Sequence, residues 1–338
     1  WVFHLVRGEL QTAYEAAEQL LRLGENTQDP TLIMEGHHGL GQISYFMGKL
    51  AAAREHVEQA IALYDSQQSS AHPIRPVQDP GVMSRGYAAQ SLWHLGYPDQ
   101  ARQRVHEAFA LAQQLSHPFS FAFALSFAAN LHQFRKEERL AQERAEAMLA
   151  VSSEHGFPLV VASGTFRRGA RLVAQGQVEE GLAQMRQGME TYLAEGTVLG
   201  HPSLLGGLAA AHGTVGQIDE GLALLTEALA VLNKTGQRVY EVGLYLLKGS
   251  LLLKSGGEKV GEAEKCFHQA LDVARRQEAK SLELQAATSL ARLWQQQGKR
   301  AEAHKLLSEV YNWFTEGFDT GDLREAKALL DSLESQRV

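Results

Sequence analysis

Apolar side chains recur through this chain at the i, i+3, i+4, i+7 spacing of helices with one buried face. The opening stripe is Val2, Leu5, Val6, Leu10, Ala13, Ala17, Leu20 and Leu21. Farther on, Phe119, Phe123 and Phe127 fall on one side of a helix, where core packing is the expected role. The helical stretches are punctuated by Gly8, Gly48, Gly96, Lys136, Gly176, Gly216, Gly256 and Gly298, and five of the seven steps between them are 40 residues. Five residues after each turn stands a small side chain: Ala13, Ala53, Ala101, Ala141, Gly181, Gly221, Gly261 and Ala303. The seventh turn is two residues longer, so Ala263 is expected to take the place of Gly261. A second register, twelve residues after the turns, includes Ala60, Ala108, Gly188, Ala228 and Ala270. Small residues let two backbones approach closely and their ridges interlock. Glycines inside first helices, such as Gly36, Gly39, Gly41, Gly169 and Gly249, are expected to do the same.

A fixed step of this kind predicts stacked helical hairpins, none of which can bury its apolar face alone. The register resembles the tetratricopeptide repeat, with a step longer than that family's typical length of about 34 residues. The expectation is an all-α, right-handed superhelical α-solenoid, a single unit over 1–338. Helix starts are marked at Asp29-Pro30, Asp79-Pro80, His117-Pro118, Phe157-Pro158 and His201-Pro202, since proline suits the first helical turn and aspartate the cap. The segment 66–79, with two prolines and many polar residues, reads as an irregular loop and accounts for the one 48-residue step. A final helix at about 321–336 carries Leu323, Ala326, Leu329, Leu330 and Leu333 on one side and charges on the other, as a capping helix requires. Asp322 and Glu325 have capping-box spacing.

Composition narrows the function. The net charge of −7 argues against a general nucleic-acid binder, which needs a basic stripe. The single Cys266 cannot form an internal disulfide, and a reducing cytoplasm fits best. No run approaches the length of a membrane span, and no signal-peptide pattern opens the sequence. It begins at Trp1 directly on a helical pattern, so the expectation is a fragment of a longer protein.

Candidate chemistry is sparse. Gly256 to Gly261 has the glycine spacing of a phosphate loop, but Glu262-Ala263 stands where Lys-Ser/Thr is needed. The 14 histidines include no H-E-x-x-H, and no C-x-x-C occurs. His37 and His38 diverge by about 100° on a helix and do not share an ion easily. His94, His132 and His212 read as polar tips on packed helices. Glu137-Glu138 and Glu179-Glu180 follow turns, where helix N-termini favour carboxylates. Arg167, Arg168 and Arg171 form the one compact basic cluster, either a solvated face or a site for an acidic partner. No catalytic residue, cofactor site or metal site is expected.

Several segments carry a second resemblance: Gln78-Asp79-Pro80-Gly81-Val82, Leu95-Gly96-Tyr97-Pro98-Asp99-Gln100-Ala101, Leu115-Ser116-His117-Pro118-Phe119-Ser120, Ala279-Lys280-Ser281-Leu282-Glu283-Leu284 and Trp313-Phe314-Thr315-Glu316-Gly317-Phe318-Asp319-Thr320. Together they resemble the C-terminal repeat region of large bacterial signalling proteins, in which a class III adenylate/guanylate cyclase or kinase-like module precedes an AAA-type ATPase. The resemblance implies a regulatory arm for upstream catalytic modules, with no catalytic residue in this chain. The expected role is a non-catalytic interaction solenoid whose partners are a protein or peptide in a concave groove and the upstream domains. By repeat register the groove is assigned to Glu35, His38, Gln42, Met83, Gln90, Phe123, Asn130 and Arg167. The alternative is a sensor domain of an ATPase-type transcription regulator, holding a small inducer or nucleotide in a concavity with a few convergent polar groups.

Overall fold

A computed structural model describes residues 1–64 and 78–335. Among them are seventeen α-helices and no strand. Eight hairpins follow one another: α1 (Val2–Val6) with α2 (Leu10–Thr27), α3 (Pro30–Phe46) with α4 (Leu50–Leu63), α5 (Pro80–His94) with α6 (Pro98–Leu115), α7 (Pro118–Phe134) with α8 (Glu138–His155), α9 (Pro158–Ala174) with α10 (Val178–Ala194), α11 (His201–Thr214) with α12 (Ile218–Thr235), α13 (Glu241–Ser255) with α14 (Val260–Arg276), and α15 (Lys280–Gln296) with α16 (Arg300–Tyr311). The single helix α17 (Gly321–Glu334) closes the series. Of the irregular loop expected over 66–79, residues 66–77 lie outside the described residues.

The local reasons are visible in the caps and turns. The Asp29 carboxylate accepts from the Thr31 and Leu32 amides, and Asp79 accepts from Val82, satisfying donors that a helix start leaves open. The hairpin turns are left-handed, and at one of them Lys136 stands where the others have glycine, at φ +59°. That conformation costs a side-chain-bearing residue about 1 kcal/mol. The Lys136 ammonium offsets the cost with two contacts, to Asp322 at 2.9 Å and Glu325 at 2.6 Å. Asp322 and Glu325 therefore do not form the expected capping box. The cap position of α17 is Thr320, which makes no side-chain cap bond.

Packing follows the small-residue registers. Ala13, Ala53, Ala101, Ala263 and Ala303 are fully buried, as are Ala108, Ala228 and Ala270. Gly261 meets no atom within 4 Å of an added Cβ, so Ala263 holds the contact. Close approach inside first helices is equally plain. A Cβ on Gly169 would lie 2.6 Å from the Gly181 carbonyl oxygen, and one on Gly249 would lie 2.5 Å from the Phe267 ring.

Successive hairpins stack in chain order, with first helices inside and second helices fanning outward. The stack also returns on itself. The Val198 and Leu199 amides donate to the Val6 carbonyl, and an added Cβ on Gly48 would meet the Gln277 side chain. The Ser281 hydroxyl donates to the Trp93 carbonyl, 188 residues away in sequence. The Arg135 guanidinium bonds Asp319 across 184 residues, and Lys136 bonds Glu325 across 189. Hairpin turns on one superhelical turn thus abut the connectors of the next, one repeat step at a time. One core cluster consequently contains residues from α1–α5 and from α13–α17 together.

Candidate functional site

The first helices form the inner surface of this superhelix, and their residues reach it by two routes. In the upper half the surface is packed shut. His38 and Gln42 are buried on α3, with His38 Nδ1 2.9 Å from the Ser84 hydroxyl and the Gln42 amide 2.7 Å from His38 Nε2. Met83 is 1% exposed in the shared core. These three, assigned to the groove by register, sit within the interior and present little surface to a ligand. Neighbouring hairpins bury the polar pair, since His38 also meets the Trp1 ring edge-on at 5.4 Å and Ser84 belongs to the next first helix.

Beside them lies an aromatic axis that repeat register does not reveal. Tyr45 on α3 and Tyr87 on α5 approach at 5.5 Å between ring centres, and Tyr87 meets Phe127 of α7 at 5.2 Å. Phe46 lies 5.8 Å from Tyr87 and 6.4 Å from Tyr240, just before α13. Tyr192, at the end of α10, donates its hydroxyl to the Leu199 carbonyl at 2.8 Å. An added Cβ on Gly200 would lie 3.7 Å from the hydroxyls of both Tyr192 and Tyr240. Burial pushes all four phenols above their ordinary pKa, Tyr192 to about 12, and Tyr45, Tyr87 and Tyr192 each raise Tyr240 further. They are neutral donors and acceptors at any physiological pH. Neither the Tyr45 nor the Tyr87 hydroxyl bonds another described residue, although both side chains are more than nine-tenths buried. Tyr45, Tyr87, Tyr192 and Tyr240 occupy different positions relative to their turns, so no periodic signal in the sequence groups them.

The other route is the wall formed by α5, α7 and α9. Here Gln90, Phe123, Asn130 and Arg167 are half-buried. Gln90 gives its backbone carbonyl to His94 at 2.7 Å, while its side-chain amide has no partner among the described residues. Phe123 meets Phe119 at 5.1 Å between ring centres. The Arg167 guanidinium donates to Asn130 Oδ1 at 2.5 Å and to Gln133 Oε1 at 3.4 Å. Glu35, on α3, is also half-buried. Most first helices from α3 to α15 pack on the next one along the chain, and α7 and α9 are the consecutive pair that approach least. The basic cluster does not act as a unit. Arg168 donates to Gln184, Arg171 pairs with Glu146, and Arg167 alone turns to the inner wall.

The segments that carry the signalling-protein resemblance converge elsewhere. Tyr97 and Trp313 meet at 5.6 Å, with Lys280 5.6 Å above the Trp313 ring. The Glu316 carboxylate accepts from the Asp99 and Gln100 amides at the start of α6. Asp99 in turn accepts from the Gly317 amide, and an added Cβ on Gly317 would collide with Pro98. Arg135, 1% exposed, ties Glu137 at 2.9 Å and Asp319 at 2.7 Å. These motifs build the seam between superhelical turns. Glu137 is engaged there, by Arg135 and by His132 at 2.6 Å, rather than at its own helix start.

Among the described residues, no group of three or more His, Cys, Asp or Glu side chains could hold a metal ion, and no helix is long and apolar enough to cross a membrane. Cys266 is buried, as expected of a small apolar filler.

No family model matches the chain. It is 20% identical over 294 residues to an uncharacterized protein of Rhizobium meliloti (strain 1021), covering 87% of the present chain and 28% of that protein's length. The chain therefore spans less than a third of the curated relative it matches. Among solved structures it is similar to the Rap conjugation gene regulator of the plasmid pLS20 in complex with the Phr* peptide, with TM-score 0.60, 12% identity and coverage of 92% and 77% of the two chains. It is also similar to a Rap protein complexed with Competence and Sporulation Factor, with TM-score 0.57, 16% identity and coverage of 89% and 74%. A third is the apo form of the quorum sensor NprR from B. thuringiensis, with TM-score 0.51, 12% identity and coverage of 89% and 83%. At these identities the likeness establishes the fold: a tetratricopeptide-like α-solenoid.

Proposed function

We propose that this chain is a non-catalytic regulatory solenoid that receives a peptide or protein segment on the inner wall of α5, α7 and α9. The observation that carries the reading is the wall itself. Gln90, Phe123, Asn130 and Arg167 place an open amide, an aromatic face and a cation on one concave surface. Extended peptides need such surfaces: polar groups to meet their backbone and pockets for alternate side chains. The Rap regulator solved with the Phr* peptide shares the fold, which supports the reading by analogy.

The chain's place in a larger protein is a second part of the proposal. The 28% coverage of the rhizobial relative supports it, and the five motif segments support a cytoplasmic signalling parent with a cyclase or ATPase module upstream. Panning a randomised peptide library on the chain tests the wall. Selected peptides are expected to bind at least tenfold more weakly to Gln90→Ala and Asn130→Ala variants of unchanged helicity. Equal binding to wild type and variants removes the assignment.

One observation favours a small-molecule sensor as the alternative. The Tyr45 and Tyr87 side chains are more than nine-tenths buried and neither hydroxyl bonds another described residue, which leaves both free to hydrogen-bond a ligand. A thermal-shift screen with nucleotides and sugars separates the readings, since saturable stabilisation by one compound selects the sensor.

A further inference from the structure

We propose that Tyr45, Tyr87, Tyr192 and Tyr240, with His94 beside them, form an internal site for an uncharged, hydroxyl-bearing ring compound: a nucleoside or a free sugar, not its phosphate ester. This inference rests on the small-molecule reading above rather than on the peptide wall, and it names the class of ligand.

The site is made of polar groups that the fold holds in place without using. Tyr45 is 4% exposed and Tyr87 8%. The hydroxyls of Tyr45, Tyr87 and Tyr240 bond no other described residue. The Tyr192 hydroxyl donates to the Leu199 carbonyl and keeps its lone pairs. His94, also more than nine-tenths buried, stands edge-on to Tyr45 at 5.7 Å between ring centres. Its Nδ1 donates to the Gln90 carbonyl at 2.7 Å, which leaves Nε2 as an acceptor. Open space lies between Tyr192 and Tyr240, since a Cβ built on Gly200 would meet both hydroxyls at 3.7 Å and nothing nearer from the rest of the chain. The four phenols come from the second, third, fifth and seventh hairpins. Phe46 joins the two sides, 5.8 Å from Tyr87 and 6.4 Å from Tyr240. One occupant would therefore touch hairpins far apart in the stack.

Charge sets the class of ligand. Among the described residues, the only titratable groups whose charge acts on these four phenols are the other phenols, and no Asp, Glu, Lys or Arg does so. Burial keeps the phenols and the His94 ring neutral. A phosphate, carboxylate or ammonium group entering here would be desolvated with no counter-charge, which costs far more than burying a hydrogen-bonded hydroxyl. A ligand hydroxyl both donates and accepts, so it meets a phenol in either sense and donates to the imidazole Nε2. The rest of the lining is aromatic, with Phe127 5.2 Å from Tyr87, and such rings offer apolar faces to a ring compound.

The test uses the whole chain and matched pairs of compounds, the ribonucleosides and the common hexoses, each beside its monophosphate ester. Thermal shift finds the binders, and calorimetric titration measures them on wild type, Tyr45→Phe and Tyr87→Phe. These variants keep the rings and remove hydroxyls that have no partner in the fold. Their unliganded melting temperatures are expected to stay within about 2 °C of wild type. At least one neutral compound is expected to bind wild type roughly tenfold or more tightly than its ester does. The same compound is expected to bind one or both variants about fivefold or more weakly, and a loss in one variant alone identifies the hydroxyl that the ligand uses. Nucleosides and hexoses are separate arms, so the arm that binds identifies the ring. If the esters bind as tightly as their neutral partners or more tightly, the sensor reading stands and the uncharged site is wrong. If a neutral compound binds both variants as it binds wild type, it sits elsewhere and the assignment falls. If no compound in either arm binds, the sensor reading falls and this inference with it, while the peptide wall stands.

Discussion

Gly169 and Gly261 show how differently one residue type acts within a single repeat scheme. At Gly169 the facing atoms are backbone, the Gly181 carbonyl oxygen and the Met185 nitrogen, which cannot rotate aside. Gly169→Ala should destabilise the fold by about 1–3 kcal/mol through overpacking. Gly261 lies exposed near the start of α14 with open space around it, so Gly261→Ala should stabilise by up to about 1 kcal/mol through helix propensity. Urea midpoints of the two variants should move in opposite directions, and a shift of the same sign would refute the packing argument. Buried histidines give the second prediction at this scale. His94 is held neutral, its pKa depressed by burial from 6.5 to about 4, and His38 is depressed to about 3. The unfolded chain binds protons here that the folded chain cannot. The contribution is therefore complete above pH 6.5 and is lost as pH falls toward the folded values. Each histidine adds a slope of at most about 1.4 kcal/mol per pH unit in that window. Replacing His94 by Gln should flatten the stability profile between pH 6.5 and 4 by about one proton's worth. An unchanged profile would place the protonation elsewhere.

At the scale of helices and hairpins, much is legible in the order of residues alone. Turn glycines, Asp-Pro starts and small residues at fixed offsets are set by short-range sterics, and short-range sterics leave marks in the sequence. The shift from Gly261 to Ala263 follows from counting residues in a longer turn. Pairings of elements distant in sequence leave no such mark. The spacing of Asp322 and Glu325 has the capping-box pattern, yet both carboxylates answer to Lys136, 186 and 189 residues earlier in the chain. The groove assignment divides for the same reason. Repeat register identifies the inner faces of first helices but not which of their residues the neighbouring hairpins bury. His38, Gln42 and Met83 are buried, while Gln90, Phe123, Asn130 and Arg167 are half-buried. The tyrosine axis leaves no periodic trace because its members come from helices without a common offset.

For the whole molecule, the seam changes what kind of solenoid this is. In an open array each repeat touches only its neighbours, stability is nearly a sum of nearest-neighbour terms, and the ends unfold independently. Here the third and fourth hairpins also contact the last ones through Ser281–Trp93, Glu316–Asp99, Arg135–Asp319 and Lys136–Glu325. Those contacts need both halves folded, so they should couple hairpins that are far apart in the stack. Most involve partly exposed charges, whose separate contributions are about 1 kcal/mol or less, and their effect lies in being parallel. The buried Arg135 is the exception, because removing Asp319 leaves a guanidinium without one of its carboxylates. A Ser281→Ala, Glu316→Ala, Asp319→Ala variant should keep its helicity and the local packing of each hairpin. It should nonetheless split one cooperative unfolding transition into two, with calorimetric enthalpy exceeding the van't Hoff value. Amide exchange should then quicken in α5–α8 at denaturant concentrations that leave α13–α16 protected. A triple variant that still unfolds in a single transition, merely at lower temperature, would show that neighbour-to-neighbour stacking alone sets the cooperativity and that the seam is a passive contact.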